Sequence, residues 1–381
     1  HIEPFREDNF FALALNLKDT PSSPTLRQRL DMAARNPQWN DIILEESVKL
    51  IKNSSAPLTP IYLGTLEAQR QYLPLDIDVS PFDNSDSKKE GVSRTYKGFD
   101  GFAPIFAYLA REGYGINTEL RQGKDHSQNG TVEFLRKSIS HGKHLSSLPL
   151  LVRMDSGNDS AENISVCLDE ETKADFIIKR NIRKEKTETW LAIAQQNGPG
   201  YIEREGKTVY MGSVMWKPKG LKTSVRLVYK VVERTILAKG QSLLVPDIEV
   251  ETYWTSLPDP AHIIIELYHD HGTSEQFHSE LKTDLDLERL PSGKFATNNL
   301  VLHFGIFAYN ILRIIGQMTV KLNDDMVPLR KKVQRRRIRT VIQNLITMAS
   351  RLVHHARQFK LRFGRYSPWL GAFKYLYAVL T

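Results

Sequence analysis

Asp78, Asp155 and Glu275 draw attention because the surrounding pattern puts each at a strand end or a helix start. In "YLPLDIDVS", Leu73, Leu75, Ile77 and Val79 alternate with Pro74, Asp76, Asp78 and Ser80. That period of two predicts a strand with both aspartates on one face and Pro74 near its start. "SLPLLVRMDSG" is a continuous apolar run ended by Asp155, Ser156 and Gly157, the pattern of a buried strand opening into a loop. Glu275 falls in the first turn of an expected helix, where Thr273 and Gln276 have capping-box spacing. Gathered without cysteine ligands, Asp78, Asp155 and Glu275 would suit hard divalent cations such as Mg²⁺. Two such ions about 4 Å apart can activate a water or hydroxyl and stabilise the leaving oxygen of a phosphodiester. Spacing alone does not bring the three together, and each singly fits a cap, a turn or a surface acid.

The elements that must position them follow from the same periodicities. Residues 1 to about 60 read as peripheral helices, with Ser23 or Thr25 as cap of a helix starting near Pro24. "FAPIFAYLA" and "GINTELRQG" read as strands across the turn "REGYG", and "NGTVEFLRKSI" as an amphipathic helix. A helix around Ala161 to Leu168 and a strand "DFIIKRN" follow, so this half is α/β with a mixed sheet. Between about 183 and 255 the composition turns to Val, Tyr, Thr and turn glycines, the texture of an all-β insertion. "HIIIELY" is expected as a strand, and the region from about 316 as helical and basic. "NNLVLHFGIFAYNILRIIG" carries His303, Asn310 and Arg313, has too few uninterrupted apolar residues for a bilayer span, and reads as a buried helix.

Charge narrows the partner. The 381 residues hold 52 Lys+Arg against 44 Asp+Glu, a net +8 that favours a polyanion. The excess sits late, in "RKKVQRRRIRT" from Arg330 and then Arg351, Arg357, Lys360, Arg362 and Arg365, with almost no acid between. A solvated face usually interleaves glutamate, so nucleic-acid contact is the favoured reading. Cys167 is the one cysteine, which excludes an intrachain disulfide and a cysteine-based metal site and fits a reducing cytosol. No basic-then-apolar signal pattern opens the chain, and its first residue, His1, suggests that the N-terminal region is truncated.

Several blocks together resemble the DDE transposases of bacterial insertion sequences. "YHDHGTSEQFHSELK" is similar to their Tyr-x2-Arg-x3-Glu-x6-Lys signature, with Tyr268, Glu275 and Lys282 matching and His271 in the arginine position. "LDIDVS" resembles the strand bearing the first catalytic aspartate and selects Asp78; "VRMDSGN" resembles the block bearing the second and selects Asp155. "LRQGKDHS", "FAYNILR", "RRRIRT" and "RFGR" also have counterparts, so the resemblance runs from about Leu73 to the C-terminus.

The resemblance implies an RNase H-like mixed sheet flanked by helices, with a β-rich insertion between the second aspartate and the glutamate. The expected organisation is an N-terminal helical region over 1–60, core segments over 61–182 and 255–315, the insertion over 183–254, and a basic helical region over 316–381. It implies a transposase in which Asp78, Asp155 and Glu275 bind Mg²⁺ or Mn²⁺, two ions in all, and cut transposon ends before joining a 3′-OH to target DNA. The implied partner is DNA, bound by a homodimer in the bacterial cytoplasm at the nucleoid, with no membrane. Tyr268, His271 and Lys282 are the expected DNA contacts, and a histidine at 271 is a weaker phosphate anchor than the bidentate arginine. Trp254 could stack on a flipped base, although a packed aromatic is the commoner use. His278, one turn past Glu275, could approach the metal site, but surface or packing is the commoner use of such a residue. The rival readings are an RNase H-like nuclease without strand transfer and a non-catalytic DNA-binding derivative.

Overall fold

The computed structural model describes residues 2–64, 68–322, 326–328, 333–364 and 366–380. Helices α1 (Asn9–Ala14), α2 (Ser23–Ala33) and α3 (Gln38–Asn53) come first. The cap of α2 is Ser22, one residue before the expected pair: its hydroxyl accepts from the Thr25 N–H, and Pro24 occupies the first turn. Ile43, Leu44, Val48 and Ile51 give α3 one buried face.

Strands β1 (Ile61–Leu63) and β2 (Arg70–Val79) open the core, and β3 (Phe82–Asp83), β4 (Ser93–Arg94) and β5 (Asp100–Phe102) form a small side sheet. Then come β6 (Ile105–Leu109), β7 (Tyr114–Glu119), α4 (Thr131–Leu145), β8 (Leu150–Met154), α5 (Ala161–Leu168) and β9 (Asp175–Arg180). The strand order is β7-β6-β2-β8-β9. β2 runs antiparallel to β6 and parallel to β8, and β9 continues parallel. This is the mixed sheet expected of an RNase H-like core.

The next segment departs from an all-β insertion. It begins with a helix, α6 (Thr187–Gln196), before β10 (Tyr201–Arg204), β11 (Lys207–Trp216), β12 (Val225–Ile236) and β13 (Ser242–Thr255). These strands form an antiparallel meander whose last member pairs with β9, so they extend the core sheet to ten strands. The run read as a strand, "HIIIELY", is helix α7 (Ala261–His269). Its exposed positions, His262, Glu266 and His269, recur at helical spacing, while Ile264, Ile265 and Leu267 are buried. Burial against Ile177, Val228 and Tyr253 outweighs the strand preference of its three isoleucines.

After α8 (Ser274–Ser279) comes α9 (Phe295–Val320), the expected buried helix. By length and composition it alone among the described helices could cross a membrane. Its polar groups are nonetheless used inside the protein. Asn310 accepts from the Gly115 N–H at 2.9 Å and donates to the Gly115 carbonyl at 2.7 Å and to Ser47 at 2.8 Å. The region from 316 is not helical throughout. α10 (Ile338–Val341) is followed by a hairpin, β14 (Ser350–His355) and β15 (Gln358–Phe363), and then α11 (Leu370–Leu380). Ala356 and Arg357, both at positive φ, form the two-residue turn that matches strand twist.

The two faces of β2 have different chemistry. Leu73, Leu75, Ile77 and Val79 join a core with Ile51, Leu135, Ile139 and Ile164 from the helices. Asp76 and Asp78 point the other way, into a polar strip between two apolar clusters. One cluster centres on Phe106, Tyr108, Phe277 and Tyr309, the other on Leu151, Ile177, Tyr253 and Ile264. Register sets Asp76 beside Arg153 of β8, and both are almost wholly buried. The guanidinium Nε donates to Asp76 Oδ1 at 2.6 Å and Nη2 to Oδ2 at 2.8 Å, while Nη1 reaches the Leu267 carbonyl at 2.7 Å.

Removing one member of such a pair leaves a buried charge uncompensated. Arg153→Met should lower unfolding stability by about 3–5 kcal/mol, and adding Asp76→Leu should recover part of it. Denaturant unfolding checks both; equal stability of wild type and the single variant would refute the pairing. A second constraint lies at Gly113, where φ is +71° and a Cβ would meet the Phe277 ring at 2.2 Å. Gly113→Ala should cost about 1–3 kcal/mol and lower the melting temperature by several degrees; an unchanged melting temperature would contradict this packing.

Candidate active site

Asp78 lies next to last in β2, and Asp155 directly follows β8. Since β2 and β8 are parallel neighbours with Ile77 opposite Met154, the two aspartates emerge side by side at one edge of the polar strip. Asp78 Oδ1 accepts from the Val79 N–H at 2.8 Å, and Oδ2 lies 3.1 Å from His278 Nε2. Burial pushes the Asp78 carboxyl up, but His278, the charge of His271 and the Val79 N–H together hold it below its ordinary value. Asp155 is displaced the other way: burial raises it first and the charge of Asp78 second, with Asn158 offsetting in part. Two close carboxylates of opposite shift are a repelling pair, the arrangement that a cation relieves.

The loop holding Asp155 is built by motifs quoted above. Asn158 Nδ2 donates to Asp155 Oδ1 at 2.7 Å. From "LRQGKDHS", Ser127 donates to the Gly157 carbonyl at 2.6 Å, while Arg121 holds the Ser127 carbonyl at 2.9 Å.

Glu275 sits on α8 and lines the same open cleft of about 840 Å³ as Asp78 and Asp155. It is exposed and makes no hydrogen bond or ion pair among the described residues. No three acidic, histidine or cysteine side chains among the described residues converge closely enough to hold one ion. The structure therefore pairs the two aspartates and leaves Glu275 on the cleft wall. The expected capping box is also absent. The chain is helical from Ala261 to Asp284, passing through a 3₁₀ turn at Asp270–Thr273 and a π turn at Glu280–Asp284, so Thr273 is interior and donates to the Asp270 carbonyl.

The other expected residues divide. Tyr268, His271 and Lys282 line the cleft. Tyr268 packs on Tyr253 at 4.8 Å, and burial followed by the charges of Asp155 and Asp78 pushes its hydroxyl up. His271 turns inward, with Nδ1 3.0 Å from Asp76 Oδ1 but poorly aligned for a hydrogen bond. Burial opposes its positive charge; the Asp76 carboxylate outweighs that and raises the imidazole above its ordinary value. Lys282 donates to the Pro81 carbonyl at 2.5 Å over the Phe82 ring, and burial pulls its ammonium down. Trp254 is not brought to the carboxylates. Only 3 % exposed, its indole N–H donates to Asp159 at 2.9 Å, and Arg180 lies 5.6 Å from its ring.

Three residues gain weight that the sequence did not give them. His278 touches Asp78. Arg153, quoted only as part of a motif, holds Asp76. Tyr96, from the turn between β4 and β5, lines the cleft and donates to the Val79 carbonyl at 3.3 Å. The face of Asp76 was visible as alternation in β2, whereas the apolar run of β8 did not assign one to Arg153, and nothing in the sequence pointed to Tyr96.

Among the described residues of the basic run, Arg335, Arg336 and Arg337 are committed internally. Glu280, wholly buried behind α8, accepts from Arg313 Nη2 at 2.8 Å, from Arg335, and from the Ile338 N–H at 2.9 Å. Arg336 donates to Thr319, and Arg337 to Asp284 at 2.7 Å. Arg330, Lys331, Lys332 and Arg365 lie outside the described residues. Free basic charge is on the hairpin, where Arg351 stands opposite Arg362 and Val353 opposite Lys360. Arg351, Arg357, Lys360 and Arg362 are exposed and have no acidic partner among the described residues.

A family described as Transposase DDE domain group 1 matches residues 1–381. No curated protein matches the chain. Among solved structures it is similar to a piggyBac transposase synaptic complex with hairpin DNA, at 12 % identity and a TM-score of 0.31. The match covers 62 % of this chain and 47 % of the other, so the chain spans about half the length of that protein, and the likeness is too slight to assign residue roles. The family match extends over every residue, and the chain belongs to the DDE-domain transposases of group 1.

Proposed function

We propose that this protein is a DNA transposase whose cleft binds divalent cations at Asp78 and Asp155, with Glu275 completing the site once DNA is bound. The observation that supports it is the aspartate pair, presented by parallel neighbouring strands and close enough that Asp78 raises Asp155. An all-oxygen donor set in an open cleft fits Mg²⁺ or Mn²⁺ rather than a softer ion. Two bound ions would supply Lewis acidity and an activated water at the scissile phosphate.

The chain's own residues orient. Val79 N–H and His278 fix the Asp78 carboxylate, and Asn158 fixes that of Asp155. In the first step water attacks phosphorus at the transposon end, an O–P bond forms, and the bond to the 3′ oxygen breaks to leave a 3′-OH. In the second, that hydroxyl attacks a target phosphodiester, forming a new O–P bond and releasing the target's own 3′-OH. Positioning and charge neutralisation are the protein's contribution. Tyr268, His271 and Lys282 form the cleft wall that meets the DNA end. Synapsis of two ends calls for a homodimer, acting in the bacterial cytoplasm on nucleoid DNA as part of an insertion sequence.

Asp78→Asn, Asp155→Asn and Glu275→Gln should each slow metal-dependent end cleavage about a thousandfold, the counterpart of about 4 kcal/mol, while DNA binding persists. Cleavage and strand transfer on labelled end oligonucleotides read this out. Wild-type cleavage by the aspartate variants would refute the site, and cleavage without joining would support the simple nuclease instead. The hairpin gives a separate expectation, because like charges set opposite each other, as in Arg351 and Arg362, destabilise a strand pair unless a polyanion covers them. Replacing both by alanine should weaken duplex binding across sequences and reduce the salt slope of binding by about 2. An unchanged slope would place the DNA elsewhere.

A further inference from the structure

His278 is buried behind the cleft and lies between two groups. Its Nδ1 is 3.0 Å from the Tyr108 hydroxyl and its Nε2 3.1 Å from Asp78 Oδ2. Tyr108 is fully buried on β6, one strand over from Asp78, and its ring meets the imidazole edge-on at 5.3 Å. Phe106 tilts against the same ring at 5.4 Å. The imidazole is thus held by packing on two sides and by a polar contact at each nitrogen. In the tautomer whose Nε2–H donates to the carboxylate, Nδ1 accepts from the Tyr108 hydroxyl. Val79 N–H takes the other oxygen, so each Asp78 oxygen has one protein partner, and the residue lines the cleft.

We propose that His278 is a positioning residue for Asp78: with Tyr108 behind it, it fixes the carboxylate's rotation and ties α8, three residues past Glu275, to the strand that carries Asp78. This rests on the reading of Asp78 as a metal-binding carboxylate. The chemistry is that of an outer-shell hydrogen bond, which orients a ligand before the ion arrives; loss of such partners typically weakens metal affinity 10–100-fold. A bland packing role would leave that affinity alone, because Phe106 and Tyr108 would still hold the ring's volume.

The test is Mn²⁺ binding to the full chain without DNA, read by the electron paramagnetic resonance of free Mn²⁺, with melting temperature measured alongside. His278→Leu should raise the Mn²⁺ Kd about 10–100-fold. His278→Gln, whose amide can donate from the position of Nε2, should restore most of the affinity. Tyr108→Phe, which removes only the hydroxyl, should weaken binding several-fold and remains informative should the leucine variant fail to fold. Wild-type Mn²⁺ affinity in His278→Leu and Tyr108→Phe, beside loss of binding in Asp78→Asn, overturns the positioning role and leaves the metal site standing. Wild-type affinity in Asp78→Asn overturns both.

Discussion

The parallel pairing of β2 with β8 buries charge on one face of the sheet, and the bidentate Arg153–Asp76 pair makes that burial tolerable. A buried ion pair contributes little net stability compared with an apolar pair, so its value lies in what it specifies. Here it specifies register and docking. A slip of one residue would turn one strand's polar pair, Asp76 with Asp78 or Arg153 with Asp155, toward the apolar helix-covered core, a cost that fixes the alignment of the two strands. The third Arg153 nitrogen grips the Leu267 carbonyl, which sets the end of α7 and hence the start of the segment leading to Glu275.

Around that anchor the signature segment is held at three depths. His271 closes on Asp76, His278 on Asp78, and Glu280 on Arg313, Arg335 and the Ile338 N–H. Glu275 lies between the first two tethers, exposed on the solvent side. Residues 271 and 278, seven apart, fall on the helix face toward β2, and Glu280 lies on the opposite face toward Arg313 and Ile338. The same network explains why Arg335 and Arg337 serve as braces here. Their charges neutralise Glu280 and Asp284, and the free basic charge is displaced to the hairpin.

Much of the core was legible because its signals are local. Period-two alternation in β2, the apolar run of β8 and the helical face of α4 each arise from a few adjacent residues. What failed depended on distant partners. Three consecutive isoleucines in α7 read as a strand until the hydrophobic bed formed by Tyr253 and Val228 is known. The hairpin was hidden behind a basic composition, although the alternation of Gln358, Lys360 and Arg362 with Phe359, Leu361 and Phe363 in β15 was present. At the site, Asp78 and Asp155 came from resemblance, and strand adjacency gives them a physical reason. His278 was legible only as a residue one turn past Glu275 that could approach the metal site, and Tyr96 not at all, since nothing in "RTYKG" reveals that it reaches the end of β2.

In the proposed site Asp78 and Asp155 share a divalent cation. Crystals soaked in Mn²⁺, with diffraction recorded at a wavelength where manganese scatters anomalously, test it most directly. The account predicts an anomalous peak bridging the two carboxylates that disappears in Asp155→Asn. Well-ordered crystals with no peak there, or with manganese bound only elsewhere, would contradict it.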